Sequence, residues 1–326
     1  MSISKKEVNE CQRKISQVKK EISKAVVGQK DVINSILRGI LSNGHMLVEG
    51  YPGIAKTLIV RIISQVMGIS FSRIQFTPDL LPSDIIGITA YDPRKGFYTV
   101  KGPIFAHFIL ADEINRAPPK VQSALLEAMQ ERQVTIGKKS FKLNTPFFVL
   151  ATENPLEQLG TYSLPEAQLD RFLFKIFINY PSQEEELIIL KENINLKNIE
   201  DFNIKNILSP QEIIELQETT KKIYLDPKIE KYIVNIVDTT RNHAHQDIMF
   251  KNFIRVGSSP RGAIGLFIAS KAHALIEGRT FVTPHDVKQV APDVLRHRII
   301  LNYEGIAENI STDTIIQEIL KKTKIP

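Results

Sequence analysis

The sequence predicts a mostly parallel α/β sheet covered by helices on both faces, followed by a second domain built of helices alone. Three observations carry this. Short apolar runs of strand length recur at 46–48, 71–76, 105–111, 147–151 and 172–178, each trailed by a helix-like segment or a loop. After Tyr180-Pro181 strand-like alternation stops, and charged, Ile/Leu-rich helical patterns continue to the last residue. A length of 326 residues also suits two compact domains better than one or four, at about 150 residues per domain. We therefore expect an α/β domain over 1–180 and a helical domain over 181–326.

Taken in order, 5–26 reads as one helix, because Val8, Cys11, Ile15, Val18, Ile22 and Ala25 fall on a single stripe at spacings of three and four. Cys11 belongs to that stripe, so packing is its expected role. As the only cysteine it cannot form an internal disulfide, which fits a reducing compartment and argues against a cysteine zinc site. The first twenty residues are polar and lack the apolar core of a secretory signal. No run approaches the ~18 apolar residues of a membrane helix. A cytoplasmic, soluble chain without membrane insertion is expected. Segments 84–102 and 131–145 read as β-hairpins, each with Gly and Lys near the tip. With 43% apolar and 24% charged residues, collagen-like, disordered and disulfide-scaffold classes are excluded. The net charge of +6 is spread along the chain, which fits a solvated Lys-rich surface better than a nucleic-acid face.

The sharpest local signal is Gly50-Tyr-Pro52-Gly53-Ile54-Ala55-Lys56-Thr57-Leu58, lying between the strand MLVE and the helix TLIVRIISQVM. It matches G-x-x-x-x-G-K-[ST] except that Ala55 stands where Gly is usual. Such a loop turns its backbone N–H groups onto phosphate oxygens at a helix N-terminus, with Lys56 on the β/γ-phosphates and the Thr57 hydroxyl on Mg²⁺. Ala55 adds one methyl, and right-handed helical angles would hold it without strain.

A second apolar strand ends in Asp112-Glu113. Ligands bind at the carboxyl ends of parallel strands, so both acids are expected beside the loop, Asp112 holding Mg²⁺ and Glu113 polarising the attacking water. A third strand ends in Thr-Glu-Asn154-Pro155, where Asn154 either holds water or phosphate or simply opens a turn. Arg171 opens the last strand and Arg261 opens a helix of the second domain. Both are ordinary surface arginines or guanidinium donors to a phosphate, in trans or across domains. His243, His245, His273, His285 and His297 lack a Cys partner and an H-E-x-x-H spacing, so surface or capping positions are expected rather than metal ligation.

Together GYPGIAKT, ILADEINRA, ATENP, GTYSLPEAQLDRFLFK and SSPRGA make the chain resemble the MoxR family of AAA+ ATPases, in the branch with a hairpin inserted in its second helix. The resemblance spans nearly the whole chain, and LADEINRAPPKVQSALLEAMQE and LPEAQLDRF are highly specific to it. It implies an AAA+ P-loop core with a helical lid, ATP and Mg²⁺ as ligands, and ATP hydrolysis in a ring, a hexamer. Lys56 and Thr57 would be the Walker A pair, Asp112 and Glu113 the Walker B pair, Asn154 sensor 1, Arg171 the arginine finger and Arg261 sensor 2. Val27, Gly28 and Gln29 would line the adenine pocket. The family usually has Gln where Glu153 stands and Ala where Gly262 stands. Such families remodel or activate a partner protein complex, often with a von Willebrand factor A domain protein. The hairpin lysines Lys95, Lys101, Lys138, Lys139 and Lys142 would meet acidic protein, unless they serve solubility alone. A nucleic-acid-dependent motor or loader is the alternative, disfavoured by the lack of a dedicated nucleic-acid domain. A nucleotide-gated scaffold with little turnover is disfavoured by the intact Glu113 and Arg171.

Overall fold

The computed structural model describes residues 3–51, 53–94, 96–155, 161–192, 199–242 and 249–326. Pro52, Lys95, His243 and His245 therefore lie outside the described residues. Helix α1 (Lys5–Ile22) opens on a capping box, in which Ser4 Oγ accepts from the Glu7 N–H at 3.2 Å and the Glu7 carboxylate accepts from the Ser4 N–H at 2.9 Å. It ends before the expected residue 26, although Ala25 and Val26 stay buried. The chain then turns through left-handed Gly28 and Gln29 into α2 (Lys30–Leu41).

From there the chain alternates strand and helix: β1 (Met46–Gly50), α3 (Lys56–Val66), β2 (Phe71–Gln75), α4 (Pro82–Ile86), then the hairpin β3 (Gly87–Asp92) and β4 (Gly96–Lys101). It continues with β5 (Phe108–Asp112), α5 (Pro119–Glu131), the hairpin β6 (Gln133–Ile136) and β7 (Lys139–Lys142), β8 (Phe148–Glu153), α6 (Glu166–Leu169) and β9 (Phe174–Ile178). The inserted hairpin is shorter than 84–102, because Pro82 at the N-terminus of α4 starts a helical turn that takes in Asp84 to Ile86. Likewise β5 begins at Phe108, since Pro103–Phe105 forms a 3₁₀ turn.

Five strands form one parallel sheet in the order β2-β5-β8-β1-β9. Strands β5 and β8 are continuous apolar runs because both of their faces are covered. Alternate residues feed separate cores. Met46, Val48, Leu110 and Leu150 pack with α1, α2 and α3, whereas Leu47, Ile109, Val149 and Ala151 pack with α5. The first core runs on without a break into the C-terminal helices through Leu266, Val290 and Ile315.

Those helices are α7 (Gln183–Glu192), α8 (Pro210–Lys222), α9 (Pro227–Thr239), α10 (Pro260–Ile276), α11 (Pro284–Leu295), α12 (Tyr303–Ala307) and α13 (Thr312–Lys322). The segment is not helical throughout: β10 (Ile254–Val256) pairs antiparallel with β11 (Ile300–Leu301). Among the described residues, no helix is long and apolar enough to cross a membrane.

Two histidines are buried in the core rather than at the surface. The His45 ring donates through Nε2 to the Met129 carbonyl at 3.1 Å and accepts the Val149 N–H at Nδ1 at 3.0 Å, which fixes a neutral ring. His297 donates through Nε2 to the Phe172 carbonyl at 3.0 Å. Burial pushes His45 down from 6.5 to about 3, helped by Arg132, and burial with Arg298 pushes His297 well below its usual value. Unfolded, both rings bind protons near pH 6.5; folded, they stay neutral far below it. The His45 contribution is thus complete above pH 6.5 and falls as the pH drops from 6.5 toward 3, by about 1.4 kcal/mol per unit, and His297 acts in the same direction. Urea midpoints measured from pH 7.5 to 5 should decline; a flat profile means that neither ring is held neutral.

Candidate functional site

The loop after β1 bends by two left-handed residues, Gly53 at φ 80° and Ala55 at φ 58°. The expectation of right-handed angles at Ala55 is therefore overturned. The loop must reverse direction to start α3 at Lys56, and that reversal falls on the residue before the lysine, methyl or not. A non-glycine residue there costs about 1–2 kcal/mol. The Lys56 ammonium is folded over the loop, donating to the Gly50 carbonyl at 2.7 Å.

Asp112 ends β5, two strands away from Gly50 at the end of β1, so about 10 Å separates the two chain positions across β8. Asp112 is only 8% exposed and its carboxylate is fully engaged: Oδ1 accepts from the Thr152 hydroxyl at 2.6 Å, and Oδ2 accepts from Arg73 at 2.6 and 3.0 Å. Glu113 follows in left-handed backbone, its N–H donating to the Thr152 hydroxyl oxygen at 2.9 Å. Its carboxylate accepts from Gln75 at 2.7 Å and Arg116 at 2.8 Å. Arg73, Gln75, Arg116 and Thr152 escaped the sequence reading. On β2 the alternation of Arg73 and Gln75 was the available signal, since Gln75 lies in register with Asp112. Thr57 and Arg73 border one cavity of about 780 Å³. A hydroxyl and a carboxylate are the hard oxygen donors that Mg²⁺ takes, so the donor set fits.

On the other side of the loop, Val27, Gln29, Ile54, Leu58 and Tyr180 line an apolar cavity of about 390 Å³, together with Gly53 and Ala55. Gln29 is anchored by donating to the Asn179 carbonyl at 2.8 Å. Tyr180 stacks on Tyr51 of the loop with centroids 5.1 Å apart. Gly28 borders the neighbouring cavity, and a Cβ there would lie 2.4 Å from the Glu185 carboxylate. A wider groove of about 900 Å³ past Tyr224 and Phe281 carries none of the motif residues.

Asn154 is buried just past β8. Arg171 is exposed, and its guanidinium makes no ion pair with a described residue. Arg261 opens α10, half-exposed, 3.8 Å from Asp170.

Residues 45–174 match the ATPase family associated with various cellular activities (AAA), and residues 247–319 match the AAA lid domain. The chain is 46% identical to Chaperone MoxR1 of Mycobacterium tuberculosis over 98% of its own length and 83% of that protein's. It is 31% identical to Protein MoxR of Paracoccus denitrificans, covering 85% of this chain and 86% of that one. A crystal structure from Cytophaga hutchinsonii superimposes with a TM-score of 0.92 at 48% identity, covering 98% and 97% of the two chains. The chain belongs to the MoxR family of AAA+ ATPases.

Two features set this MoxR-family chain apart from the usual pattern. Glu153 lies in register with Glu49 across β8 and β1, and Lys175 pairs with Glu49 at 2.6 Å. Burial pushes the Glu153 carboxyl up; Lys175 opposes this and Glu49 adds to it. At Gly262 a Cβ would lie 2.1 Å from Ser258 Oγ and 3.2 Å from Leu295, so the missing side chain permits α10 and α11 to approach closely. Among the described residues, no group of three or more His, Cys, Asp or Glu is placed to hold a metal by itself.

The strained loop yields a stability prediction. Ala55→Gly should raise unfolding free energy by about 1 kcal/mol, seen as a higher midpoint in urea, because glycine adopts φ 58° without the methyl clash. An unchanged or lower midpoint would place the strain elsewhere.

Proposed function

We propose that this chain is a chaperone-like ATPase that works as a ring, a hexamer by resemblance, and cleaves ATP in clefts shared between neighbouring copies. The observation carrying this reading is the meeting of the Lys56 loop with Asp112 and Glu113 at one rim of the sheet, while Arg171 stands exposed without a counter-charge among the described residues.

In this reading the loop N–H groups and Lys56 bind the β- and γ-phosphates, and Lys56 leaves the Gly50 carbonyl to do so. Val27, Gly28 and Gln29 border the base, with Gly53, Ile54, Ala55 and Leu58 completing the cradle; Pro52 is assigned to it by the motif alone. Thr57 and Asp112, the latter released from Arg73, would hold Mg²⁺, which would supply charge neutralisation to the phosphates. Glu113 takes the proton of the attacking water, for which its carboxylate must come free of Gln75 and Arg116. Asn154 orients that water or the γ-phosphate. Arg171 of the adjacent copy stabilises the charge developing on the phosphoryl group, worth about 10³ to 10⁵ in rate or 4–7 kcal/mol. Arg261 reports the γ-phosphate to the helical segment, which swings about the junction near Pro181. We take 1–180 and 181–326 as the two bodies of that hinge.

Work leaves through the two hairpins. Tyr91 and Phe97 stand in ring contact on β3 and β4, and Phe97 is 79% exposed. Lys101 lies over Phe105 and Phe141, with Lys138, Lys139 and Lys142 at the second hairpin. Exposed aromatic rings beside lysines suit an acidic protein client better than a phosphate backbone. By resemblance, a von Willebrand factor A domain protein presents that client.

Lys56→Ala should weaken ATP binding by about 100-fold or more, and Glu113→Gln should bind ATP while turning over about 100-fold more slowly. Affinity retained in the first variant or normal turnover in the second would remove the residue from its role. Arg171→Ala alone should be inactive, yet recover turnover when mixed with Glu113→Gln. Recovery arises because intact Arg171 then faces intact Glu113 in some clefts; no recovery under conditions of mixed assembly would refute catalysis in trans.

A further inference from the structure

The carboxylate of Asp170, next to Arg171 in the chain, is a meeting point between the strand end that carries Arg171 and the helical segment. Its Oδ1 accepts from Arg298 Nε at 2.9 Å and from the Ser259 hydroxyl at 3.0 Å. Its Oδ2 accepts from the same hydroxyl at 2.9 Å and lies 3.8 Å from Arg261. Arg298 is only 2% exposed, and burial lowers it to about 10, so its charge depends on the Asp170 counter-charge. The same guanidinium donates to the carbonyls of Asp170 at 3.2 Å, Phe172 at 2.6 Å and Leu173 at 3.1 Å. The backbone on both sides of Arg171 is therefore clamped by one buried arginine from the helical segment. Ser259, which caps α10 and accepts the Arg261 N–H at 3.1 Å, reaches the same carboxylate.

We infer that Asp170 is the positioning residue that holds Arg171 toward the neighbouring copy and ties its placement to the helix carrying Arg261. The inference rests on the shared-cleft reading above. In the shared-cleft reading Arg261 turns from Asp170, now 3.8 Å away, to the γ-phosphate, so nucleotide in one copy's own cleft alters the charge balance at Asp170. Through Asp170 that change reaches the finger serving the next cleft. One carboxylate thus links a cis sensor to a trans catalyst, and neighbouring sites fire in a coupled way.

The test measures ATP turnover against ATP concentration for the full-length parent and for the Asp170→Asn, Ser259→Ala and Arg171→Ala variants. Each variant is assayed alone and mixed with Glu113→Gln. Asp170→Asn should lose about tenfold or more in turnover while binding a fluorescent ATP analogue within about threefold of the parent. Glu113→Gln copies should rescue it, because they bring a well-placed Arg171 to its intact catalytic cleft. A merely structural defect would not be rescued by a neighbour. Ser259→Ala removes the α10 link to Asp170 along with one N-cap bond of that helix, leaves the Arg298 clamp in place, and should lower the Hill coefficient from above 1 toward 1 while keeping turnover within about threefold. This arm stands even where Asp170→Asn fails to fold. Failure of rescue in a folded Asp170→Asn, or a Hill coefficient unchanged by Ser259→Ala, overturns the inference. If Arg171→Ala is inactive alone and rescued in mixture, only the Asp170 role has failed. Normal turnover by Arg171→Ala alone instead overturns the shared-cleft reading and, with it, this one.

Discussion

Parallel pairing of β5, β8 and β1 locks residue against residue, Ala111 opposite Ala151 and Ala151 opposite Leu47, and so brings three strand ends to one rim. A slip of one residue would turn Leu47, Ile109 and Val149 away from the core they share and toward the opposite one, which is why the register is firmly held. The loop carrying Lys56 and the acids Asp112 and Glu113 are distant in sequence. They become neighbours because the strands bearing them flank β8, and because the apolar runs stop at the same level, where burial gives way to polar side chains.

The rim then has to satisfy the charges it gathers. Asp112 is nearly buried, and an unpaired carboxylate there would be costly, so Thr152 and Arg73 occupy both of its oxygens. Thr152 also accepts the Glu113 N–H, which holds two consecutive acids in fixed relation through one hydroxyl. The same rule operates at Asp170, where a desolvated Arg298 is stable only beside its counter-charge. In both places an ion pair with a buried partner, Asp112 in one and Arg298 in the other, fixes the backbone beside an adjoining charged residue, Glu113 or Arg171.

Helices from both ends of the chain share one core with one face of the sheet. Val8 and Ile22 of α1 belong to the same cluster as Val48 of β1 and Leu266 of α10. Above that core the connection is polar: Arg296 donates to the Lys175 carbonyl at 2.6 Å and pairs with Asp293 and Asp313 at 3.0 Å each. The apolar floor and the charged ceiling together set how the helical segment lies against β9, and therefore where Arg261 stands.

Much of this was legible beforehand. The α1 stripe, the alternating strands, the phosphate-loop motif and the acid pair depend on local periodicity and on short spacings, which a linear sequence carries intact. Hairpin and strand limits shifted by a few residues where a proline at a helical start won over strand propensity, as at Pro82 before the hairpin and Pro103 before β5. Arg73 and Gln75 were hidden in a run that reads simply as a strand, and Ala55 was misjudged because its handedness is imposed by the direction change between β1 and α3. The sequence by itself determined the residue types available, a loop of the phosphate-binding pattern and acids at strand ends. Only the tertiary structure decided the partnerships, such as Asp170 with Arg298, 128 residues apart, because the desolvation that makes such a pair necessary exists only once the core has closed around it.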